Sequence, residues 1–265
     1  FLINADFILP SSREAILDIS WNRWLMVCVA ELTACALPRL KELDLLTIDL
    51  LESLARRMLE ITEDDMFHSI VRSVKQAFDN EELIPTDDGT FVKAQNAKLA
   101  RGSELRNLLN KEQLGLLFQL PHVVKWLSAE ITRDLTPSLR RYLIEHLGIE
   151  EVRPEKFVEL LTDDFLENQS DKWIIDFYSF FDKDRTEFWK KPDAALKKRK
   201  IIRLEDNSHV IPFKSDGKPN AYLPSSLTTT NFPTIKRSIF EDETAAGFLK
   251  KLGIIEPGAF AEIID

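Results

Sequence analysis

The chain is short of the residues that most often announce chemistry. It has 8 glycines in 265 residues and no glycine-rich run. That excludes a phosphate-cradling loop, which needs bare backbone close to its ligand. A Gly-x-Ser-x-Gly nucleophile elbow is missing as well. So few glycines also argue against a β-sandwich built on many tight turns. The 4 histidines, His68, His122, His146 and His209, are scattered, and none has a second ligand at metal spacing. No metal site and no complete enzyme are expected from this chain alone. Its 2 cysteines, Cys28 and Cys35, lie seven apart on one expected helix. That puts them about 10 Å apart along the axis, too far for a disulfide within a helix. Two buried thiols in a reducing, cytoplasmic setting are the expectation. No apolar run reaches the 18 or more residues of a membrane span, so no membrane partner is expected. Positive charge is in deficit too. A net charge of −9 disfavours nucleic acid and anionic surfaces as default partners.

What is present points to helices. Charged residues make up 30% of the chain, and leucines recur at helical spacing. The expected class is α+β, predominantly helical with short β-hairpins. The first residue is Phe1, in an apolar stretch, and the last apolar helix is expected around Ile263-Ile264. Both ends read as cut from a longer protein.

Along the chain, Trp21, Trp24, Leu25, Cys28, Leu32 and Cys35 form one apolar stripe at helical spacing, expected to be core. Pro38 should end that helix or open the next. Leu43 to Glu60 and Thr62 to Asp79 read as two more helices, the latter with acids in its first turn. Asp88-Gly89 between two short apolar runs predicts a hairpin. The Asp87-Asp88 pair is turn chemistry rather than a metal site. Residues 103–130 read as helix up to Pro121. Thr136-Pro137 opens a helix through Leu147 with Gly148 beyond it, and Pro154 opens one to Leu166. Trp173, Phe177, Tyr178, Phe180 and Phe181 should be buried. The pattern then repeats. Ile201 to Phe213 echoes the first hairpin, Ala221-Tyr-Leu echoes Ala97-Lys-Leu, and Phe248-Leu-Lys-Lys-Leu-Gly-Ile echoes Tyr142 to Ile149. This suggests two mixed units. The expected division is 1–80, a strand and helices; 81–196, the first hairpin unit; and 197–265, a second, truncated one.

Two stretches could carry function. Lys197, Lys198, Arg199 and Lys200 form a basic run near Trp189, able to bind phosphates but more simply read as a solvated helix end. The second is the amino-terminal stretch. Phe1, Ile3, Ala5, Phe7 and Leu9 alternate as a strand, and Pro10 stops it. Ser11 and Glu14 have capping-box spacing, which predicts a helix start with Arg13 at its second position. A cation there opposes the helix dipole. An arginine beside free N–H groups suggests an anion site, whereas pairing with Glu14 or Asp18 would make it ordinary surface.

Asn4-Ala-Asp-Phe-Ile-Leu-Pro-Ser-Ser-Arg-Glu, followed by Trp21-Asn, resembles the segment after the nucleotide-binding domain of sacsin-type proteins. Those proteins carry a GHKL ATPase domain related to the ninety-kilodalton heat-shock chaperone. In that chaperone a similar Ser-Arg-Glu run supplies an arginine to the γ-phosphate of ATP held by the neighbouring domain. The resemblance implies that role for Arg13, with Ser11, Ser12 and Glu14 shaping its surroundings. It also implies an upstream GHKL domain holding Mg-ATP, and client proteins as partners. The chain itself would hold no cofactor. The likeness covers residues 3–24 and is weak beyond them. The competing reading is a non-enzymatic protein-binding scaffold, with nucleic acid a more distant third.

Overall fold

A computed structural model describes residues 3–182, 185–225 and 232–257. The helix expected at Ile263-Ile264 lies outside them, as do Phe1 and Leu2 of the expected strand. Among the described residues there are eleven α-helices and seven short strands. The helices are α1 (Ser20–Glu42), α2 (Ile48–Glu60), α3 (His68–Asn80), α4 (Ser103–Leu108), α5 (Lys111–Phe118) and α6 (Pro137–Glu145). They continue with α7 (Pro154–Leu160), α8 (Asp163–Glu167), α9 (Asp171–Asp182), α10 (Arg237–Phe240) and α11 (Glu243–Leu252). The strands are β1 (Ile84–Pro85), β2 (Phe91–Val92), β3 (Ala97–Ala100), β4 (Lys125–Trp126), β5 (Glu151–Val152), β6 (Ile202–Arg203) and β7 (His209–Val210). The class is α+β and predominantly helical, as the composition implies.

The chain divides into two compact units. The first takes residues 1–100 and 122–152, and the second takes 101–121 and 153–265. In the first, α1 packs on α3 and α2 on α6. Met26, Leu37, Leu51, Leu54, Val74, Phe78, Leu83 and Leu143 fill its core. Glu52 ties two of these helices together. Its carboxylate, on α2, accepts the N–H groups of Leu139 at 2.7 Å and Ser138 at 3.3 Å, which open α6. Pro137 is the first residue of α6, where its missing N–H is harmless.

Several boundaries differ from the periodicity. Pro38 lies inside α1, which runs on to Glu42. Near the end of a long, packed helix, the loss of one hydrogen bond is tolerated. The acids Glu63 to Asp65 form a turn rather than a first helical turn. Asp65 Oδ1 accepts Phe67 N at 2.9 Å, and α3 starts only at His68. The helical stretch expected over 103–130, broken at Pro121, is two short helices that end at Phe118, where Gln119 turns left-handed (φ 51), and β4 lies where helix was expected after the break. Thr162 breaks the segment expected from Pro154 to Leu166 by capping α8, its hydroxyl accepting Phe165 N. The stripe on α1 is also rotated. Asn22, Met26, Ala30 and Leu37 face inward, while Trp21 and Trp24 are 47% and 55% exposed and Leu32 is 71% exposed. Cys28 is half-buried and Cys35 exposed, not the buried thiols expected. The helix carries two apolar stripes, and the one with small Ala30 lets α3 approach closely.

In the second unit α11 and α4 pack on α9. The aromatic run of α9 is buried as its spacing predicts: Trp173, Phe177, Tyr178, Phe180 and Phe181 all lie inside. Polar tips find partners there. Trp173 Nε1 donates to Leu108 O at 2.7 Å, and Tyr178 Oη donates to Ile201 O at 2.6 Å.

The echo between the two halves is carried bond for bond. In the first hairpin Ile84 pairs with Val92 and Pro85 with Phe91; in the second Ile202 pairs with Val210 and Arg203 with His209. The correspondence is thus Ile84 with Ile202, one residue off the match that begins at Ile201. Thr86 N donates to Thr90 O, and Leu204 N to Ser208 O. The turns hold Gly89 at φ 75 and Asn207 at φ 67. In both, an Asp at the turn accepts the following hydroxyl at 2.6 Å: Thr90 to Asp88, and Ser208 to Asp206. Leu127 N donates to Lys98 O, as Ile235 N does to Tyr222 O. Leu99 N reaches Glu150 O, as Leu223 N reaches Ile255 O. Each unit therefore contains the same hairpin and the same backbone bonds beside it.

Candidate functional site

The residues singled out at the amino-terminal end form a loop, not a strand and a capped helix. Residues 3–10 alternate in burial as far as Phe7 but join no ladder. Helix α1 begins at Ser20, so neither Ser11 nor Glu14 caps it. Instead Arg13 N donates to Pro10 O at 2.9 Å, closing a tight turn over Ser11 and Ser12. Arg13 itself adopts the left-handed conformation, φ 55. For a residue with a Cβ that costs about 1–2 kcal/mol.

The reason the capping box fails lies in Asn22, which is fully buried on α1. Its Oδ1 accepts Ile8 N at 2.8 Å, and its Nδ2 donates to Ile8 O at 2.7 Å and Leu17 O at 2.8 Å. One side chain thereby ties both ends of the segment 8–17. A helix starting at Ser12 could not bring the Leu17 carbonyl back beside Ile8. Trp21 reinforces the entry to the loop by donating from its indole N–H to Asp6 O at 3.0 Å. In the sequence Asn22 stands out only as the neighbour of Trp21. Its position four residues before Met26 and eight before Ala30 marks it as a polar residue on the inward face.

Arg13 is exposed, and its guanidinium has no hydrogen bond or ion pair among the described residues. Neither carboxylate expected to neutralise it does so. Asp18 pairs with Arg23, whose Nη2 donates to Asp18 Oδ2 at 2.7 Å, and that contact lowers the Asp18 pKa below the ordinary carboxylate value. On one side Arg13 borders an open cleft of about 610 Å³ lined also by Glu14, Asp18, Asp64 and Asp65. With Asp18 paired to Arg23, the carboxylates of Glu14, Asp64 and Asp65 still repel a phosphate from the cleft itself, so an anion would meet Arg13 from outside it. The surface around the loop is apolar: Ile8, Leu9, Leu17, Ile19, Trp21 and Trp24 are all exposed. The two tryptophan rings lie 5.2 Å apart.

The basic run is dispersed into internal contacts. Lys197 lies over the Phe213 ring, Arg199 donates to Glu159 O at 3.2 Å, and Lys200 pairs with Asp163 at 3.0 Å. Lys198 is exposed and makes no such contact among the described residues. Trp189, the aromatic that could have stacked a base, is buried and donates to Phe181 O. The acidic turn of the first hairpin is equally occupied. Asp88 accepts Lys125 Nζ at 2.8 Å and the hydroxyls of Thr86 and Thr90, which hold its carboxyl well below the usual carboxylate range. Among the described residues, no three His, Cys, Asp or Glu side chains come together in a way that could hold a metal, and no helix is long and apolar enough to cross a membrane. Comparison with known proteins assigns no relative: no family model, curated protein or solved structure matches the chain.

Proposed function

We propose that this chain is the region immediately following the nucleotide-binding domain of a sacsin-like, chaperone-like ATPase, and that Arg13 completes the nucleotide site of that domain. The observation that carries the reading is an unpaired, exposed guanidinium on a loop whose two ends are tied to one buried asparagine. An exposed charged side chain without an ion pair, on a left-handed backbone, is a feature of functional loops. The exposed apolar residues around it suit a domain interface rather than open water.

The loop presents one cation, Arg13, and the chain has none of the glycine-rich backbone that cradles a nucleotide, so it fits Mg-ATP only as a contact to the terminal phosphate. Mg-ATP bound by the neighbouring domain supplies the phosphoryl group. As water attacks the γ-phosphorus and the bond to the ADP leaving oxygen breaks, Arg13 would bind the γ-phosphate oxygens and offset the charge developing on them. Because ADP lacks that phosphate, the contact also links nucleotide state to domain arrangement. In the full-length protein Arg13→Ala should lower kcat about a hundredfold and leave ADP affinity unchanged. Wild-type turnover in that variant would remove the reading.

The second reading, a protein-binding scaffold without a part in hydrolysis, draws on the same exposed Trp21 and Trp24. It expects Trp24→Ser to weaken partner capture while Arg13→Ala does nothing.

A further inference from the structure

We infer that Asn22 is the positioning residue for Arg13. The inference rests on the reading of Arg13 given above and adds the means by which the arginine is presented. The Asn22 amide has one acceptor and two donor hydrogens to spend, and all are spent on the loop: Ile8 N–H on the oxygen, Ile8 and Leu17 carbonyls on the nitrogen. No other side chain of that size offers both functions. An aspartate would place a carboxylate against two carbonyl oxygens, and a leucine would take the side-chain partner from the Ile8 N–H and the Leu17 carbonyl. The backbone does little of this work by itself. Leu17 N reaches Ile8 O at 3.4 Å, and the turn bond from Arg13 to Pro10 is internal to the loop. Apart from Ile16, which packs partly on the core, the segment Leu9 to Leu17 is tied to the fold at its ends. Asn22 sits on the first turn of α1, and α1 packs on α3, so the clamp is as rigid as the helix that carries it. The loop that carries Arg13 is therefore held closed at its base before any nucleotide domain docks. Preformed geometry matters here because misplacing a contact by about 1 Å can lower a rate about a hundredfold.

The test uses the full-length protein with Asn22→Ala and the milder Asn22→Ser, with circular dichroism to establish that each variant is folded. Two readouts are taken: the rate of tryptic cleavage after Arg13, and steady-state ATP hydrolysis. Freeing the loop should raise cleavage at Arg13 at least about tenfold. kcat should fall about a hundredfold with KM for ATP unchanged, and Asn22→Ser should fall between wild type and Asn22→Ala. In the Arg13→Ala background, adding Asn22→Ala should lower kcat no further, since a residue acting through Arg13 has nothing left to act on. Unchanged tryptic cleavage overturns the clamp. So does faster cleavage with wild-type kcat, provided Arg13→Ala is slow; in that case the role of Arg13 survives and that of Asn22 does not. An additive loss in the double variant shows that Asn22 acts elsewhere. If Arg13→Ala and Asn22→Ala both turn over at the wild-type rate, the nucleotide reading fails and the positioning role fails with it.

Discussion

At the scale of single residues, the turn positions show what backbone conformation alone is worth. Gly89 and Asn207 hold the same left-handed place in the two hairpins. A Cβ added at Gly89 would touch nothing within 4 Å, so Gly89→Ala should lose only the backbone term, about 1–2 kcal/mol. Gly89→Asn should lose less, because asparagine tolerates that region. Urea unfolding of the two variants checks the order, and equal losses would contradict it. His209 makes a second prediction. It is buried, and desolvation, offset in part by its bond to Lys200 O, leaves its pKa below the ordinary 6.5. The unfolded chain therefore binds a proton near pH 6.5 that the folded chain refuses until lower pH. The stability this side chain contributes is present above about pH 6.5 and is lost as pH falls through that value toward the folded pKa. Phe91 occupies the matching place in the first hairpin. His209→Phe should accordingly flatten the fall in Tm between pH 7.5 and 5.5, and an unchanged slope would assign the pH response to other groups.

At the scale of elements, caps and faces separate what pattern reveals from what packing decides. The aromatic face of α9 was legible because Trp173, Phe177 and Phe181 leave only one side on which a helix could be wetted. The burial of α1 was not legible, since Trp24 and Met26 are equally apolar and only α3 selects between them. Trp24→Ser should therefore change unfolding free energy by less than about 0.5 kcal/mol, as for an exposed site. A loss of several kcal/mol would mean the ring is buried. Glu52 lies at the other extreme. Its carboxylate is nearly buried and receives the first N–H groups of α6 from a residue far away in sequence. Glu52→Ala strands those donors and should cost about 1–3 kcal/mol by chemical denaturation. No local pattern marks it, because the partner it caps is brought there only by the α2–α6 packing. The Ser11 and Glu14 pair is the reverse case. The local signal is a sound one, and it yields to three hydrogen bonds from Asn22 that fix the chain in another path.

At the scale of the whole chain, repetition is the clearest message. Two units share a hairpin, the backbone bonds beside it and a left-handed glycine, Gly148 and Gly253, although few side chains coincide. Bonds between backbone groups are indifferent to most side-chain changes, which is why short echoes such as Ala97-Lys-Leu and Ala221-Tyr-Leu mark an arrangement that composition hides. What the sequence determined by itself follows from local chemistry: the helical class, the two Asp-centred turns, the proline-opened α6 and α7, the buried aromatics of α9 and the presence of an odd arginine at position 13. Each depends on dihedral preference or on a periodicity with one solution. What only the tertiary structure decided depends on residues distant in the chain: which stripe of α1 is buried, the helix that Glu52 caps, the basic run's dispersal onto Phe213, Glu159 and Asp163, and the loop that Asn22 holds. A buried polar group must find its partner wherever the fold supplies one, and no spacing in the sequence states where that will be.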